Sequence, residues 1–461
     1  MIPLQLTTIA DVTGGTLHGP DVLVDGPVVT DSREAQPGSL YVARIGEFAD
    51  GHQYAPGAAR AGAVATLGLR PIDGMPTVVV DDVQEAFARL ARAVVDRCPD
   101  LRIVGITGSS GKTSTKDMLG HVLEGFGETI SPVGSLNSEV GVPLTVCRVT
   151  ESTRYLVAEM GASGVGHIAY LTGIAPPRIG IVLNVGAAHV GEFGSVDAIA
   201  RTKAELVQAL PEDGTAILNA DDDRVAAMAA KTNARVVTVG RAPQAQLRAV
   251  DVRLNPSGQP TFTVVGPSER AEVHLQLHGE HQVGNALSVI AAARALDLPL
   301  DRIVDRLSTA RAVSRWRMEV HPLEGGVTLV NDAYNANPQS MAAALHALAQ
   351  MGAGHRTIAV LGEMRELGEL SEDAHQEVGR VVAELGVQQL VVVGEGARGI
   401  AAGAADGAVQ VEQVADVDAA HDLLASMLSP GDVVLLKSSR DSGLRYLGDR
   451  LVTESGAEVS S

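Results

Sequence analysis

Ile103-Val104-Gly105-Ile106-Thr107-Gly108-Ser109-Ser110-Gly111-Lys112-Thr113-Ser114-Thr115 joins a short aliphatic run to a helical stretch that continues to about Glu124. Strand, Gly/Ser loop and helix in that order are the setting of a phosphate-binding loop. Glycines let the backbone curl so that several N–H groups point inward, and the helix N-terminus adds the positive end of its dipole. On this reading Thr107 to Gly111 cradle a nucleotide's phosphates. Lys112 reaches the β/γ-phosphates, and the Thr113 hydroxyl binds Mg²⁺. The run departs from G-x-x-x-x-G-K-[ST], because Ile106 stands at the first glycine position and Gly108 lies between it and Gly111. A glycine-rich turn that merely caps a helix is the plainer alternative.

Outward from this loop, aliphatic runs at Tyr155–Ala158, Ile179–Leu183, Ala216–Leu218 and Val236–Val239 alternate with helical patterns. Strands alternating with helices imply a parallel, doubly wound sheet. Residues 247–277 differ, with period-two alternation and Pro/Gly turns, and read as an antiparallel insertion. A helix from about Val283 to Leu296 closes this block. Before it, residues 1–99 read as a small α/β domain, with strand-like runs at Val22–Val24, Leu40–Ala43 and Val78–Val80 and a helix over Val83–Val95. After it, residues 314–461 carry strands at Val327–Val330, Ile358–Leu361, Leu390–Val393 and Val433–Leu436 with helices between them, a second Rossmann-like unit. The expected fold is therefore α/β in three domains, 1–99, 100–313 and 314–461, with a polar tail frayed from Glu454 onward.

Composition bounds what such a chain does. Of 461 residues, 45% are hydrophobic and 3% aromatic, and 50 are glycine, which suits aliphatic α/β layers. The formal net charge of −19 repels a phosphate backbone, so nucleic acid is not an expected partner. A local nest of amides still binds a small anion on an acidic protein. Cys98 and Cys147 form no CxxC pair and no zinc spacing, as expected of reduced thiols. The N-terminus lacks a basic segment followed by an apolar core, and no apolar run approaches the roughly 20 residues that span a bilayer. The expectation is a soluble, cytoplasmic protein without membrane insertion.

Two strand ends carry polar groups. Leu156-Val157-Ala158-Glu159 ends in a carboxylate, and the run from Ile181 through Asn184 leads to His189. In open α/β sheets the ligand site lies beyond the carboxyl ends of the strands. Glu159 and His189 there would face the phosphates and hold a divalent ion, although each is equally an ordinary loop residue. Lys203 falls on the apolar stripe of Ser195–Leu210 beside Ile199, Leu206 and Val207, where a free ammonium is costly. It either snorkels out or has a special partner or modification. Burial would lower its pKa, and a neutral amine reacts with CO₂ to give a carbamate, a metal-binding carboxylate in place of a cation.

These segments together resemble the Mur ligases, three-domain ATP-dependent enzymes that form amide bonds, and the resemblance covers nearly the whole chain. Thr107–Thr113 is similar to the family's ATP loop, Glu159 and His189 to its Mg²⁺ ligands, and Lys203 to the lysine that several members carry as a carbamate. Gly279-Glu280-His281-Gln282-Val283-Gly284-Asn285 resembles the adenine-contacting segment, with Asn285 the position carried over and Gln282 standing where Asn is usual. Arg315-Trp316-Arg317 resembles the entry to the third domain. The likeness makes Arg317 the nucleotide-phosphate arginine and gives Asp332 the ribose hydroxyls. Leu436-Lys437-Ser438-Ser439-Arg440 resembles a Lys-Gly-Ser-Arg motif with Ser438 at the glycine.

Tyr334-Asn335-Ala336-Asn337-Pro338 is similar to the branch that adds D-alanyl-D-alanine to a UDP-N-acetylmuramoyl-tripeptide, which makes Tyr334, Asn335 and Asn337 candidates to touch the dipeptide. The UDP-sugar would then meet Asp31, Ser32, Arg33, Gly46, Asp50, His52 and Asn137. The resemblance implies catalysis by Lys112, Lys203, His189 and Arg317 through an acyl phosphate, with ATP and Mg²⁺, in a monomer. Another ligase of the superfamily, adding a diamino acid to the muramoyl dipeptide or glutamate to folate, is the alternative.

Overall fold

The computed structural model describes residues 1–47, 49–186 and 190–456. Sheets of five, nine and six strands follow one another along the chain, with a separate two-stranded pair near the N-terminus. In the five-stranded sheet, Val28–Val29, Leu40–Val42, Ala65–Gly68 and Thr77–Val79 run parallel and Thr16–His18 closes one edge antiparallel. The helix Val83–Asp96 leads from this sheet toward the next. Its first N–H groups are capped by the Asp82 carboxylate, which accepts from Gln84 and Glu85.

The nine-stranded sheet carries the loop. Strand Arg102–Thr107 lies between Tyr155–Glu159 and Ile179–Val182, parallel to both. The chain winds away from it to both sides, so the carboxyl end of Arg102–Thr107 is a topological switch point, where a crevice opens between neighbouring loops. Successive residues of each strand enter opposite cores. Leu156 and Ala158 pack on one face, Tyr155 and Val157 on the other, where helices Lys112–Glu124 and Gln282–Ala295 cover them. The stretch 247–277 is antiparallel as its alternation requires. It extends the edge of this same sheet, however, because Leu247–Leu254 pairs parallel with Arg235–Gly240 before the two antiparallel strands follow.

The six-stranded sheet has one antiparallel edge, Glu319–Leu323, and five parallel strands. The order of the parallel strands again places Val327–Asn331 and Val433–Lys437 side by side, so Asp332 and Lys437 emerge together. Helix Pro338–Met351 starts there with proline in its first turn. The side chains of Asn337 and Ser340 exchange hydrogen bonds with each other's backbone N–H. The last helix, Leu444–Glu454, runs up to the stretch read as tail, of which residues 457–461 lie outside the described part. Among the described residues, no helix is long and apolar enough to cross a membrane.

Candidate active site

The loop after strand Arg102–Thr107 folds as it does because one residue inside it allows no side chain. Gly111 sits at φ +81°, and a Cβ there would lie 2.7 Å from Asn285 Oδ1. The loop is braced from below. Ser110 N–H donates to Asn184 Oδ1 (2.9 Å) and Gly186 N–H to Ser109 Oγ (2.8 Å). The Lys112 ammonium bends back onto Gly108 O at 2.7 Å. Burial pulls the Lys112 amine below its ordinary range, the Glu159 carboxylate pushes it back up, and the Arg317 cation lowers it again. A cation held this way has much to gain from an arriving polyphosphate. Thr107 Oγ1 is buried with no hydrogen-bond partner among the described residues, a polar group poised for a ligand.

Glu159 is the hub of the cavity floor. Its Oε2 accepts from Thr113 Oγ1 (2.9 Å), and its Oε1 accepts from Ser135 Oγ and Asn137 Nδ2 (2.7 Å each). Ligands on adjacent corners of a Mg²⁺ octahedron sit about 2.9 Å apart, since each bond is about 2.0–2.1 Å. The Thr113–Glu159 spacing fits that edge. Among the described residues no group of three His, Cys, Asp or Glu side chains converges. Among the described residues, the Glu159 carboxylate and the Thr113 hydroxyl are the paired donors, in keeping with an ion that keeps waters and phosphate oxygens among its other ligands. His189 lies outside the described residues.

Lys203 is buried on helix Val196–Gln208, and it opens on the same cavity. No hydrogen bond or ion pair joins its amine to another described residue. Burial drives its pKa well below the usual lysine range, and the charge of Lys112 drives it further.

The third sheet supplies the opposite wall. Arg317 Nη2 lies 3.3 Å from Thr113 Oγ1, so the domains already meet at the phosphate loop. The residues on either side of Arg317 both hold left-handed backbone, Trp316 at φ +60° and Met318 at φ +53°. Non-glycine residues there cost on the order of 1–3 kcal/mol each, and such strain collects at functional sites. Asp332 Oδ1 accepts from Met318 N–H (3.1 Å), and its Oδ2 holds the Lys437 ammonium at 2.5 Å. Lys437 also donates to Asn335 O (3.0 Å). The motif alone gives Lys437 no role, but a lysine set among apolar residues, the signal that marks Lys203, also marks this one at the end of the run Val433–Leu436. The structure also adds Ser135 and His281 to the cavity.

Of the three residues proposed for the dipeptide, two have local tasks. Asn337 caps a helix, and Asn335 Oδ1 accepts from Ala336 N–H. Tyr334 carries the Arg317 guanidinium 4.2 Å from its ring centre. Asn285 bonds Gln282 and contacts the loop glycine, and both line the cavity.

One cavity of about 1220 Å³ thus joins Gly108–Thr113, Glu159, Lys203 and Asn285 to Arg317, Asp332 and Tyr334. Gln84 reaches its rim from the first domain's helix. The other first-domain residues form a second cluster. The Asp31–Arg33 turn and the Asp50–His52 turn both pack against helix Ala55–Ala61. Arg33 is 87% exposed and pairs with Asp31 at 2.5 Å. His52 is buried, with Nδ1 on Asp50 Oδ1 (2.6 Å) and Nε2 accepting from Leu69 N–H (2.9 Å), so it holds the turn and presents no free ring nitrogen. Gly46 turns back to Ala49 O at 2.8 Å. Of the residues proposed for the UDP-sugar, Asn137 alone lines the large cavity.

A phosphate loop at a sheet switch point, a carboxylate–hydroxyl pair beside it, and an arginine delivered from a second Rossmann-like sheet define a nucleotide-dependent ligase type of α/β enzyme. Comparison with known proteins agrees. Residues 106–293 match the Mur ligase middle domain, and residues 316–440 match the Mur ligase, glutamate ligase domain. The chain is 44% identical to the UDP-N-acetylmuramoyl-tripeptide--D-alanyl-D-alanine ligase of Mycobacterium tuberculosis, over 98% of each chain. It superposes on a crystal structure of MurF from Acinetobacter baumannii with a TM-score of 0.88, at 30% identity over 98% of this chain and 99% of the other. With MurF ligase from Thermotoga maritima, solved in complex with ADP, the TM-score is 0.82 at 28% identity, over 94% and 98% of the two chains. The chain belongs to the Mur ligase family, in the branch of the UDP-N-acetylmuramoyl-tripeptide--D-alanyl-D-alanine ligases.

Proposed function

We propose that this chain joins D-alanyl-D-alanine to UDP-N-acetylmuramoyl-tripeptide at the expense of ATP, giving the pentapeptide precursor of peptidoglycan. The observation that carries the reading is the single cavity in which Lys112, Glu159 and Lys203 face Arg317 and Asp332. A carboxylate is a poor electrophile and needs activation before an amine attacks it. The tripeptide's terminal carboxylate attacks the γ-phosphorus of ATP and ADP leaves. The acyl phosphate is then attacked by the dipeptide's amine, and inorganic phosphate departs with one carboxylate oxygen.

In this reading the loop amides and Lys112 hold the β/γ-phosphates, and Arg317 faces the transferred group from the other side. Asn285 sits where adenine would be met and Asp332 where ribose would be. Thr113 and Glu159 fit a bound Mg²⁺, which would neutralise charge on the phosphoryl oxygens. Burial shifts the amine of Lys203 toward the unprotonated form that carbamate formation requires, and a carbamate there would add a second anionic oxygen donor to the floor. The turns at 31–33 and 46–52 are proposed to meet the UDP-sugar, and boundaries near residues 99 and 313 to divide the domains. The residues that line the cavity come from one chain, which supports a monomer, and an ATP-consuming reaction of this kind supports a cytoplasmic location.

The test is ADP release with UDP-N-acetylmuramoyl-tripeptide, with and without D-alanyl-D-alanine. The reading expects sustained release only when both are present. Equal turnover with a diamino acid and the muramoyl dipeptide would move the chain to another branch.

A further inference from the structure

The chain's one tryptophan lies beside Arg317, outside the cavity. Its indole N–H donates to Asp449 Oδ1 on the last helix (3.0 Å), and Arg315 Nη2 donates to the same oxygen (2.7 Å). The indole stacks on Tyr334, with centroids 6.3 Å apart and planes 20° from parallel, and meets the Tyr446 ring edge-on at 6.0 Å. Arg315 and Arg445 lie over it at 4.7 and 5.1 Å. Tyr334 in turn carries Arg317, and Tyr334 N–H donates to Trp316 O (3.3 Å). An unbroken series of contacts therefore runs from Asp449 through Trp316 and Tyr334 to the guanidinium that faces Thr113.

Left-handed backbone at Trp316 does not hold itself; for a bulky residue it persists only where the surroundings over-determine it. Here the over-determining groups are the indole's hydrogen bond and its two ring contacts. Release of the indole lets residue 316 relax to ordinary φ, which swings the next side chain away from the loop. A displacement of about 1 Å at a phosphate-binding group costs on the order of 100-fold in rate.

We propose that Asp449 and Trp316 are positioning residues for Arg317, setting its guanidinium against the transferred phosphate without touching any substrate. The proposal rests on the nucleotide-phosphate reading of Arg317.

The experiment measures steady-state kinetics of full-length Asp449→Ala, Asp449→Asn, Trp316→Phe and Arg317→Ala. Asp449→Ala is expected to lower kcat by about tenfold or more, in the direction of Arg317→Ala, while KM for the UDP-tripeptide and for the dipeptide stays within about twofold. Asp449→Asn keeps an acceptor for the indole and should recover most of that loss. Trp316→Phe keeps the stack but loses the hydrogen bond, and should fall between. Because Trp316 is the sole indole, its fluorescence should shift on ATP binding in wild type and respond weakly in Asp449→Ala. Wild-type kcat in both Asp449→Ala and Trp316→Phe overturns the proposal. So does a loss in Asp449→Ala that Asp449→Asn does not recover, or one spread evenly over the KM of all three substrates. Wild-type kcat in Arg317→Ala would instead defeat the underlying reading of that arginine. Should Asp449→Ala melt early, Trp316→Phe and Asp449→Asn decide the matter by the same criteria.

Discussion

Two buried lysines of the middle domain, on helices that pack against opposite faces of its sheet, have opposite surroundings. Lys116 is fully buried on helix Lys112–Glu124, and its ammonium is bonded to the Asp117 carboxylate and to Pro132 O. Lys203, on helix Val196–Gln208, is buried as well, yet among the described residues its amine meets no such acceptor, and it opens on the cavity. Lys437 in the third domain resembles Lys116, with Asp332 and two backbone carbonyls around it. A buried cation that is saturated with acceptors is part of the frame. A buried amine without them has its pKa driven down at a cost to stability, and that cost persists where chemistry needs the group.

The sharpest break with this contrast would come from the phosphate loop. Lys112→Ala should lower kcat about 100- to 1000-fold, since it removes a preorganised charge from the γ-phosphate, while circular dichroism stays that of wild type. Next, Lys203→Met should lower kcat roughly 100-fold, with partial rescue by short carboxylic acids that replace the carbamate oxygens. It should also raise the melting temperature. The sign follows from proton counting. Burial holds the pKa of Lys203 in the folded chain well below the 10.5 it has when unfolded, so between the two values the unfolded state binds more protons. Stability of the wild type then rises with pH up to about 10.5, and Lys203→Met should flatten that slope in calorimetric scans without CO₂.

Lys116→Met should do the reverse of Lys203→Met. It strands the Asp117 carboxylate, which is 7% exposed, and should cost about 3–5 kcal/mol in denaturant unfolding. The smallest change in stability belongs to Arg33→Ala, whose denaturant midpoint should stay at the wild-type value for so exposed a side chain. Its KM for the UDP-substrate should rise about tenfold if the turn meets the sugar nucleotide.

Much of this was legible in the sequence because it is local. Lys112–Glu124 is the helix the spacing predicts, and the strand ends that carry Glu159 and the apolar stripe that carries Lys203 fall where periodicity puts them. What stayed hidden is pairing across long distances. Alternation at 247–277 announces antiparallel strands but not the sheet they extend, because the edge partner Arg235–Gly240 is named by no local signal. Asn137 reads as a residue near the sugar, yet it bonds Glu159, and His52 reads as a contact residue, yet both its nitrogens serve the turn. Side-chain partners of this kind depend on which loops the topology brings together.

On the proposed reading, the cavity turns an inert carboxylate into an acyl phosphate. Tripeptide substrate labelled with ¹⁸O in its terminal carboxylate tests this most directly. After one turnover with ATP and D-alanyl-D-alanine, the account predicts one ¹⁸O atom in the released inorganic phosphate. Phosphate free of label, with the amide formed, would contradict it.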